Sequence, residues 1–204
     1  RFRVSSRPEA ADVYILTVPT PINAKGKPDL NFVFNAMDSL LAVLSKGDMV
    51  LLESTSPVGT TDKLVSLIEE KRPDLKIKSQ EDPDINVCYC PERILPGNTI
   101  YEIRNNDRII GGVTAKCSER AKNLYQVFVK GHCFITDSRT AELAKLTENA
   151  YRDLNIAFAN ELSMLCDNNG IDVRELIRLA NRHPRVDILQ PGPGVGGHCV
   201  AVDP

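Results

Sequence analysis

The stretch Met49-Val50-Leu51-Leu52-Glu53-Ser54-Thr55-Ser56-Pro57-Val58-Gly59 begins as an apolar run and passes abruptly into polar residues, proline and glycine. Four apolar residues in a row, followed by turn residues, are typical of a strand that is buried on both faces of a parallel sheet. A helical pattern then continues to about Lys71. The stretch therefore predicts a strand–loop–helix unit, the repeating element of α/β domains.

The same unit recurs on both sides of this stretch. Before it lie an apolar run over residues 12–18 and a helix that Asp29 caps and that extends to about Leu44. After it, a helix that Ser118 caps is predicted to extend to about Lys130. The further predicted strands cover residues 85–90, 108–110 and 133–136. This alternation predicts an α/β fold with a mostly parallel sheet.

The pattern changes near residue 137. Apolar residues at helical spacing predict one long helix from about Thr140 to about Asp167. Asp172 is a suitable N-cap for a second helix that extends to about Asn181. We therefore expect an α/β domain over residues 1–137 and a helical domain over residues 138–204.

Composition narrows the function classes. The chain has 204 residues and a net charge of −2, which gives no reason to expect binding to nucleic acid or to an anionic membrane. No apolar run approaches the ~20 residues that span a bilayer. The six cysteines contain no C-x-x-C pair, so a disulfide framework is not favoured. Buried, reduced thiols of a cytoplasmic protein are the expectation for all of them except Cys199.

Polar loops follow three of the predicted strands. They contain Thr20, Thr55 and Glu92, respectively. In open α/β sheets, ligands bind outside the carboxyl ends of the strands, so these three loops are expected to converge on one crevice. Ordinary turn chemistry is the alternative, because Pro, Ser, Thr and Gly populate any connection of this kind.

The long helix carries a polar set. Lys145, Asn149 and Arg152 are separated by four and then three residues, so they lie on one face of a helix. A solvent-facing stripe of charges is one interpretation. The other is a face turned into the crevice, where Lys145 stabilises a developing oxyanion and the other two side chains hold a polar ligand.

The last fifteen residues, 190–204, present a cysteine on a glycine-rich loop. Cys199 follows three nearby glycines and precedes Asp203 by four residues. An accessible thiol beside a carboxylate is the arrangement of a covalent-catalysis site. A structural turn and a metal site that uses His198 and Cys199 stay open as alternatives. The segment also fits G-x-G-x-x-G formally, but prolines interrupt it and no strand precedes it, so a dinucleotide fingerprint is rejected.

Five ordered motifs carry a resemblance to a known family. They are Val18-Pro-Thr-Pro21, Ser54-Thr-Ser-Pro-Val-Gly59, Pro91-Glu92, Lys145-Leu-Thr-Glu-Asn149 and the segment from Gly194 to Asp203. Together they resemble the UDP-glucose/GDP-mannose dehydrogenases. Residues 91–97 and 181–186 look most like the UDP-N-acetyl-D-mannosamine dehydrogenase branch of that family.

This resemblance implies a partial Rossmann-like NAD-binding domain, followed by a helical central domain that dimerises. It implies NAD-dependent, two-step oxidation of the C6 alcohol of a UDP-sugar to a carboxylate, for polysaccharide precursor synthesis. The thiolate of Cys199 would form a thiohemiacetal and then a thioester. The residues that the resemblance assigns to catalysis are Cys199, Lys145, Asn149, Asp203, Thr55 and Glu92. Thr20 and Thr55 are assigned to the cofactor.

The resemblance also implies substrate contacts. They are assigned to Arg93, Ile94, Lys145, Asn149, Arg152, His183, Arg185 and Gly196. An anionic UDP-sugar is suited to arginine and lysine side chains, and glycine lets the backbone approach it closely. For His183, a cation at a helix C-terminus is the competing interpretation. A homodimer through the helical segment is expected, with no metal at the site.

The chain departs from the family pattern in three respects. UDP-glucose dehydrogenases have a second glutamate at the position of Pro96, which argues against UDP-glucose as the substrate. The family's first G-x-G-x-x-G unit and its C-terminal α/β domain are not in these residues. We therefore expect an internal fragment that is inactive alone. UDP-N-acetylglucosamine, UDP-glucose, a noncatalytic sugar-nucleotide-binding or dimerisation module and a metal-binding protein are the alternatives.

Overall fold

A computed structural model describes residues 2–95, 97–196 and 202 of the chain. The chain divides into two compact units, residues 1–145 and residues 146–204. The first unit is an α/β unit, and the second consists of helix and irregular structure. The longest helix begins in the first unit and continues into the second.

The first unit is built on a five-stranded sheet whose strands lie side by side in chain order. The strands are β1 (Val13–Leu16), β2 (Met49–Leu52), β3 (Asn86–Tyr89), β4 (Arg108–Gly112) and β5 (Cys133–Asp137). β1, β2 and β3 are mutually parallel, and β4 is parallel to β5. The single antiparallel pair joins β3 to β4. The predicted α/β class with a mostly parallel sheet is confirmed.

One helix follows each of these strands in the chain. In the first unit these helices are α1 (Asn31–Leu40), α2 (Thr60–Lys71), α3 (Thr99–Asn105), α4 (Ala115–Tyr125) and the first residues of α5 (Ser138–Asn169). Asp137 caps the start of α5, because its carboxylate accepts hydrogen bonds from the backbone N–H of Thr140 (2.9 Å) and from the Thr140 hydroxyl (2.6 Å). These bonds lower the pKa of Asp137, the hydroxyl being the larger cause.

The sheet has a hydrophobic core on each face. In β2, Val50 and Leu52 face the cluster formed with α1 and α2, whereas Met49 and Leu51 face the cluster formed with α4. All four side chains are buried, so the apolar run at 49–52 is a strand covered on both sides, as predicted. The described cysteines 88, 90, 117 and 166 are buried and 133 is half-buried, and all five are free thiols.

Several details differ from the sequence-based expectations. The helices α1 and α4 end at Leu40 and Tyr125, before the predicted Leu44 and Lys130, and the N-cap of α1 is Leu30 rather than Asp29. β1 was predicted to be fully buried, but Ile15 is half exposed, because β1 is the edge strand of the described sheet. Ser118 was predicted to cap α4. Thr114 is the N-cap instead, since its hydroxyl accepts the N–H of Cys117, and Ser118 lies inside the helix. The helix α3 was not predicted.

The second unit contains α6 (Val173–Ala180) and the part of α5 that follows residue 145. Asp172 caps α6 as predicted, because its carboxylate accepts the N–H of Arg174 at 2.9 Å. Part of the apolar stripe predicted for α5 is exposed, including Leu154, Phe158 and Leu165. No helix in the described part of the chain combines the length and the apolar character needed to cross a bilayer.

Candidate active site

The carboxyl ends of β1, β2 and β3 lie at one edge of the sheet because these strands are parallel. The loops that leave this edge contain Thr20, Thr55 and Glu92, in agreement with the expectation from the sequence. Thr20 and Thr55 are half-buried and Glu92 is exposed. The edge therefore presents two hydroxyls and one carboxylate from three neighbouring loops.

Ser54 joins the first two of these loops. Its hydroxyl accepts the backbone N–H of Val18 at 2.8 Å and donates to the backbone carbonyl of Val18 at 2.7 Å. The backbone N–H of Glu53 also donates to the carbonyl of Leu16 at 3.0 Å. These bonds continue the β1–β2 pairing beyond the strands, so the segment that leads to Thr20 has a fixed position beside the Thr55 loop.

A buried polar cluster, which sequence analysis missed, lies below the Thr55 loop. The carboxylate of Glu53 accepts a hydrogen bond from the hydroxyl of Tyr125, and Arg108 Nη1 lies 3.7 Å from Glu53 Oε1. The guanidinium carbon of Arg108 lies 4.7 Å from the centre of the Tyr125 ring. Arg108 and Glu53 are largely buried, with side chains 10% and 16% exposed. We call Glu53, Cys90, Arg108 and Tyr125 the Glu53 cluster.

Burial in this cluster changes proton affinities. Desolvation raises the pKa of Cys90 from its usual 9.0 to about 12, and a hydrogen bond with Tyr125 opposes that shift. Desolvation is also the main cause of the raised pKa of Tyr125. At neutral pH both groups are therefore protonated, and Cys90 is a poor nucleophile.

The loop after β3 is held by its own side chains. The carboxylate of Glu92 accepts the backbone N–H of Ile94, and Arg93 Nη1 donates to the backbone carbonyl of Asp107 at 3.1 Å. Glu102 accepts the N–H of Leu95 at 2.8 Å. Arg93 and Ile94 are half-buried. The side chains of Glu92 and Arg93, two of the predicted site residues, thus contribute to the conformation of this loop.

The helix α5 carries the predicted polar set on one face. Lys145 is half-buried, Asn149 is 3% exposed and Arg152 is exposed. A wholly solvent-facing stripe does not account for Asn149, because its side chain is buried. Arg152 is exposed, so a solvent-facing position does account for that residue. The structure thus leaves Lys145 and Asn149 as the members of the set with restricted access to solvent.

The segment after α6 carries further predicted residues. His183 and Arg185 are exposed, and the Nδ1 atom of His183 accepts the backbone N–H of Arg185 at 3.3 Å. Gly196 is exposed. Cys199 and Asp203 lie outside the described residues, so the structure gives no geometry for the proposed nucleophile and its neighbouring carboxylate.

Two asparagines that sequence analysis did not single out support this segment. The amide of Asn181 accepts the N–H of Ile188 at 2.8 Å and donates to its carbonyl at 3.0 Å. The side-chain oxygen of Asn160 accepts the N–H of Gly192 at 2.8 Å. No local pattern marks these residues, because their partners lie 7 and 32 positions away.

A metal site is the other kind of site that the histidines and cysteines could form. Within residues 2–95, 97–196 and 202, no group of three or more His, Cys, Asp or Glu side chains is arranged to hold a metal ion. The histidine–cysteine pair considered for a metal, His198 and Cys199, lies outside those residues.

Known proteins resemble the chain over nearly its whole length. A UDP-N-acetyl-D-mannosamine dehydrogenase of Yersinia pestis is 60% identical over 201 residues, which are 98% of this chain and 48% of that protein. An NDP-N-acetyl-D-galactosaminuronic acid dehydrogenase of Ralstonia nicotianae is 58% identical over 204 residues, 99% of this chain and 48% of that protein. The chain thus spans about half the length of the curated relatives it matches.

A solved structure and two domain families agree with these relatives. The structure of a UDP-D-ManNAc dehydrogenase from Pyrococcus horikoshii has a TM-score of 0.89 and 44% identity, covering 96% of this chain and 45% of that one. Residues 1–129 match the NAD binding domain of the UDP-glucose/GDP-mannose dehydrogenase family, and residues 139–204 match its central domain. The chain therefore belongs to the UDP-glucose/GDP-mannose dehydrogenase family.

Proposed function

We propose that this chain is part of a longer protein, called here the parent protein, that oxidises UDP-N-acetyl-D-mannosamine to UDP-N-acetyl-D-mannosaminuronate with NAD. The observation that carries the proposal is the set of five motifs, in family order, within a chain 60% identical to a dehydrogenase of that name. We further propose that residues 1–137 belong to the NAD-binding domain and residues 138–204 to a helical central domain.

The strand-end loops fit a nicotinamide cofactor. In open α/β sheets, dinucleotides bind at the loops that follow the carboxyl ends of the parallel strands. The half-buried hydroxyls of Thr20 and Thr55 lie on such loops and are suited to hydrogen bonds with polar groups of the cofactor. A bound NAD would supply one hydride acceptor, so two NAD molecules in succession would be needed for the two oxidations of the sugar. Thr55 would also hold a catalytic water near the reacting centre, with Glu92 close by.

The proposed chemistry explains why the chain needs a thiol. Loss of a hydride and a proton from the C6 alcohol leaves an aldehyde, and the Cys199 thiolate adds to its carbonyl carbon to form a thiohemiacetal. Loss of a second hydride from this carbon, together with the hydroxyl proton of the thiohemiacetal, leaves a thioester. Water then displaces the thiol and leaves a carboxylate. A thiolate suits both halves because it is a good nucleophile and an adequate leaving group.

The neighbouring residues have separate roles in this proposal. Lys145 assists proton transfer and stabilises the oxyanion that forms when the thiolate adds. Asn149 orients the reacting carbon, and its buried side chain supports a positional role. Asp203 assists the attacking water during hydrolysis as a base.

The anionic substrate is held by cationic and backbone groups in this proposal. Charged hydrogen bonds from arginine suit a diphosphate because both partners are ionised. The proposed contacts are Arg93, Ile94, Lys145, Asn149, Arg152, His183, Arg185 and Gly196. We also propose a homodimer in the cytoplasm, and the exposed apolar side chains of α5 support the dimer.

A second substrate class has its own support. The relative at 58% identity is named for N-acetyl-D-galactosaminuronic acid, so overall identity does not separate the two sugars. Both are N-acetylated hexosamines. The hydrogen-bond geometry around the sugar ring decides between such stereoisomers, because each polar substituent needs a correctly placed partner.

The test is the number of NADH molecules formed per sugar consumed by the purified parent protein. UDP-N-acetylmannosamine is compared with UDP-N-acetylgalactosamine, UDP-N-acetylglucosamine and UDP-glucose. About two NADH per sugar, with the mannosamine substrate preferred, is the expected result for a thioester route. The same ratio with another sugar preferred rejects the substrate. One NADH per sugar rejects the role of Cys199, and none from folded, NAD-binding protein favours a noncatalytic module.

A further inference from the structure

Glu142 is a buried carboxylate to which sequence analysis gave no role. It lies in the first turns of α5 and its side chain is 0% exposed. Its Oε2 accepts the backbone N–H of Gly59 at 2.5 Å, and its Oε1 accepts the N–H of Thr61 at 2.8 Å and the hydroxyl of Thr61 at 2.7 Å. One carboxylate therefore accepts three hydrogen bonds from the start of α2.

The start of α2 needs this carboxylate. A helix N-terminus has backbone N–H groups without partners inside the helix, and it carries a partial positive charge. The N-cap residue is Gly59, which makes no side-chain hydrogen bond and whose φ of +89° is a conformation that side-chain-bearing residues rarely adopt. The cap must therefore come from elsewhere, and Glu142 supplies it from 83 residues away.

The position of this contact links two proposed catalytic groups. Gly59 is four residues after Thr55, and the loop between them is stiffened by a hydrogen bond from the Thr60 hydroxyl to the carbonyl of Pro57 (2.6 Å). Lys145 is three residues after Glu142, one turn along the same helix. All of these residues belong to the first compact unit.

We propose that Glu142 is a positioning residue that holds the Thr55 loop and the Lys145 turn of α5 at a fixed separation. This inference rests on the proposed dehydrogenase function. A fully buried carboxylate is costly unless its hydrogen bonds are complete, so the contact has one well-defined geometry. Misplacement of reacting groups by about 1 Å can lower a rate about a hundredfold.

A matched control lies on the same pair of helices. Arg139 Nε and Asp62 Oδ2 are 3.0 Å apart, and their side chains are 67% and 48% exposed. This ion pair also connects α5 with α2, but it is exposed to solvent, and its carboxylate is that of Asp62 inside α2. Replacing Arg139 therefore tests whether any contact between the two helices has the same effect.

The experiment compares Glu142→Gln, Thr61→Val and Arg139→Gln in the parent protein. Glu142→Gln keeps the shape of the side chain but turns an amide N–H donor toward backbone N–H groups. We therefore expect kcat to fall at least about tenfold, while KM for NAD and for the UDP-sugar stays within about threefold. Hydrogen exchange of the amides of residues 54–61 is expected to increase. Thr61→Val removes one of the three hydrogen bonds to Glu142, so a smaller fall in kcat and a smaller increase in hydrogen exchange are expected. Arg139→Gln is expected to change neither kcat nor hydrogen exchange.

Each result decides the proposal. A folded Glu142→Gln protein with kcat within about twofold of wild type overturns it, and so does a lower kcat with unchanged exchange at residues 54–61. If Glu142→Gln does not fold, unchanged kcat and exchange in Thr61→Val overturn it. If wild type oxidises no UDP-sugar, the dehydrogenase proposal fails, and the exchange measurements alone decide whether Glu142 holds the loop.

Discussion

At the residue scale, the Glu53 cluster shows how the buried carboxylate of Glu53 is accommodated beside an otherwise apolar face of the sheet. Glu53 accepts the Tyr125 hydroxyl and lies near Arg108, whose guanidinium stacks on the Tyr125 ring. Cys90 lies at the end of the neighbouring strand and is fully buried. Because Glu53 directly precedes Ser54 and Thr55, this cluster supports the base of the proposed cofactor loop.

The buried thiol of Cys90 makes stability depend on alkaline pH. Its pKa is about 12 in the folded protein against a usual 9.0, so its contribution is fully present below pH 9 and is lost as the pH rises toward 12. The stability advantage of wild type over Cys90→Ala is expected to shrink by about 1.4 kcal/mol per pH unit in that range. Urea unfolding of the parent protein, followed by circular dichroism, measures it.

A buried residue without a titrating group is the control for this prediction. Leu51 is fully buried in the same hydrophobic cluster. Leu51→Ala is expected to lower the free energy of unfolding by about 2–5 kcal/mol, and this loss should be the same at neutral and at alkaline pH. An advantage of wild type over Cys90→Ala that does not change between neutral pH and about pH 10.5 contradicts the assignment.

At the element scale, the start of α5 depends on a close approach to β4. A Cβ atom at Gly111 would lie 2.6 Å from the Ala141 Cβ and 2.6 Å from the Asp137 carbonyl oxygen. Glycine is therefore required where α5 packs on this strand, because neither the backbone of Asp137 nor the buried Ala141 has room to move. The same turn of α5 carries Glu142, so seating of the helix and the Glu142 contact depend on each other.

Gly111→Ala is expected to destabilise the parent protein by about 1–3 kcal/mol through overpacking. A lower midpoint of thermal unfolding, measured by circular dichroism, is the readout. Gly192→Ala is the matched control, because a Cβ there has no heavy atom within 4 Å. Equal midpoints for the Gly111→Ala variant and wild type would show that α5 does not pack on β4 as described.

At the scale of the whole molecule, the exposed apolar surface of α5 bears on assembly. Tyr151, Leu154, Phe158 and Leu165 are all more than half exposed and recur at helical spacing. Exposed apolar patches of this kind mark protein–protein contacts. They support the proposed homodimer through the helical segment.

Leu154→Glu is expected to convert a dimeric parent protein to a monomer, because a charge is introduced into an apolar interface. Size-exclusion chromatography with light scattering measures the mass. Ile100→Glu is the control, since Ile100 lies on α3 and is 69% exposed, as Leu154 is. A Leu154→Glu protein with the same mass as wild type, or an Ile100→Glu protein that is also monomeric, rules out this face as the specific interface.

The local sequence pattern predicted most of the elements of this fold, with the exception of α3. The apolar run at 49–52 is a buried strand, the pattern change at 137 marks the start of α5, and Asp172 caps α6. These features are local, because an apolar period or a capping side chain acts within a few residues of its own position. The placement of Thr20, Thr55 and Glu92 at one edge followed from the parallel pairing of the strands that precede them.

Contacts between distant residues were not predictable in this way. Glu142 reaches Thr61 across 81 positions, and Tyr125 reaches Glu53 across 72. The antiparallel direction of β4 relative to β3 also left no mark in the pattern of β4. Side-chain periodicity specifies which face of an element is buried, but it does not specify which distant polar group meets another. That choice depends on strand register and helix packing. The sequence alone therefore suggested the residues of the candidate site, whereas the contacts that support their loops were seen only in the folded chain.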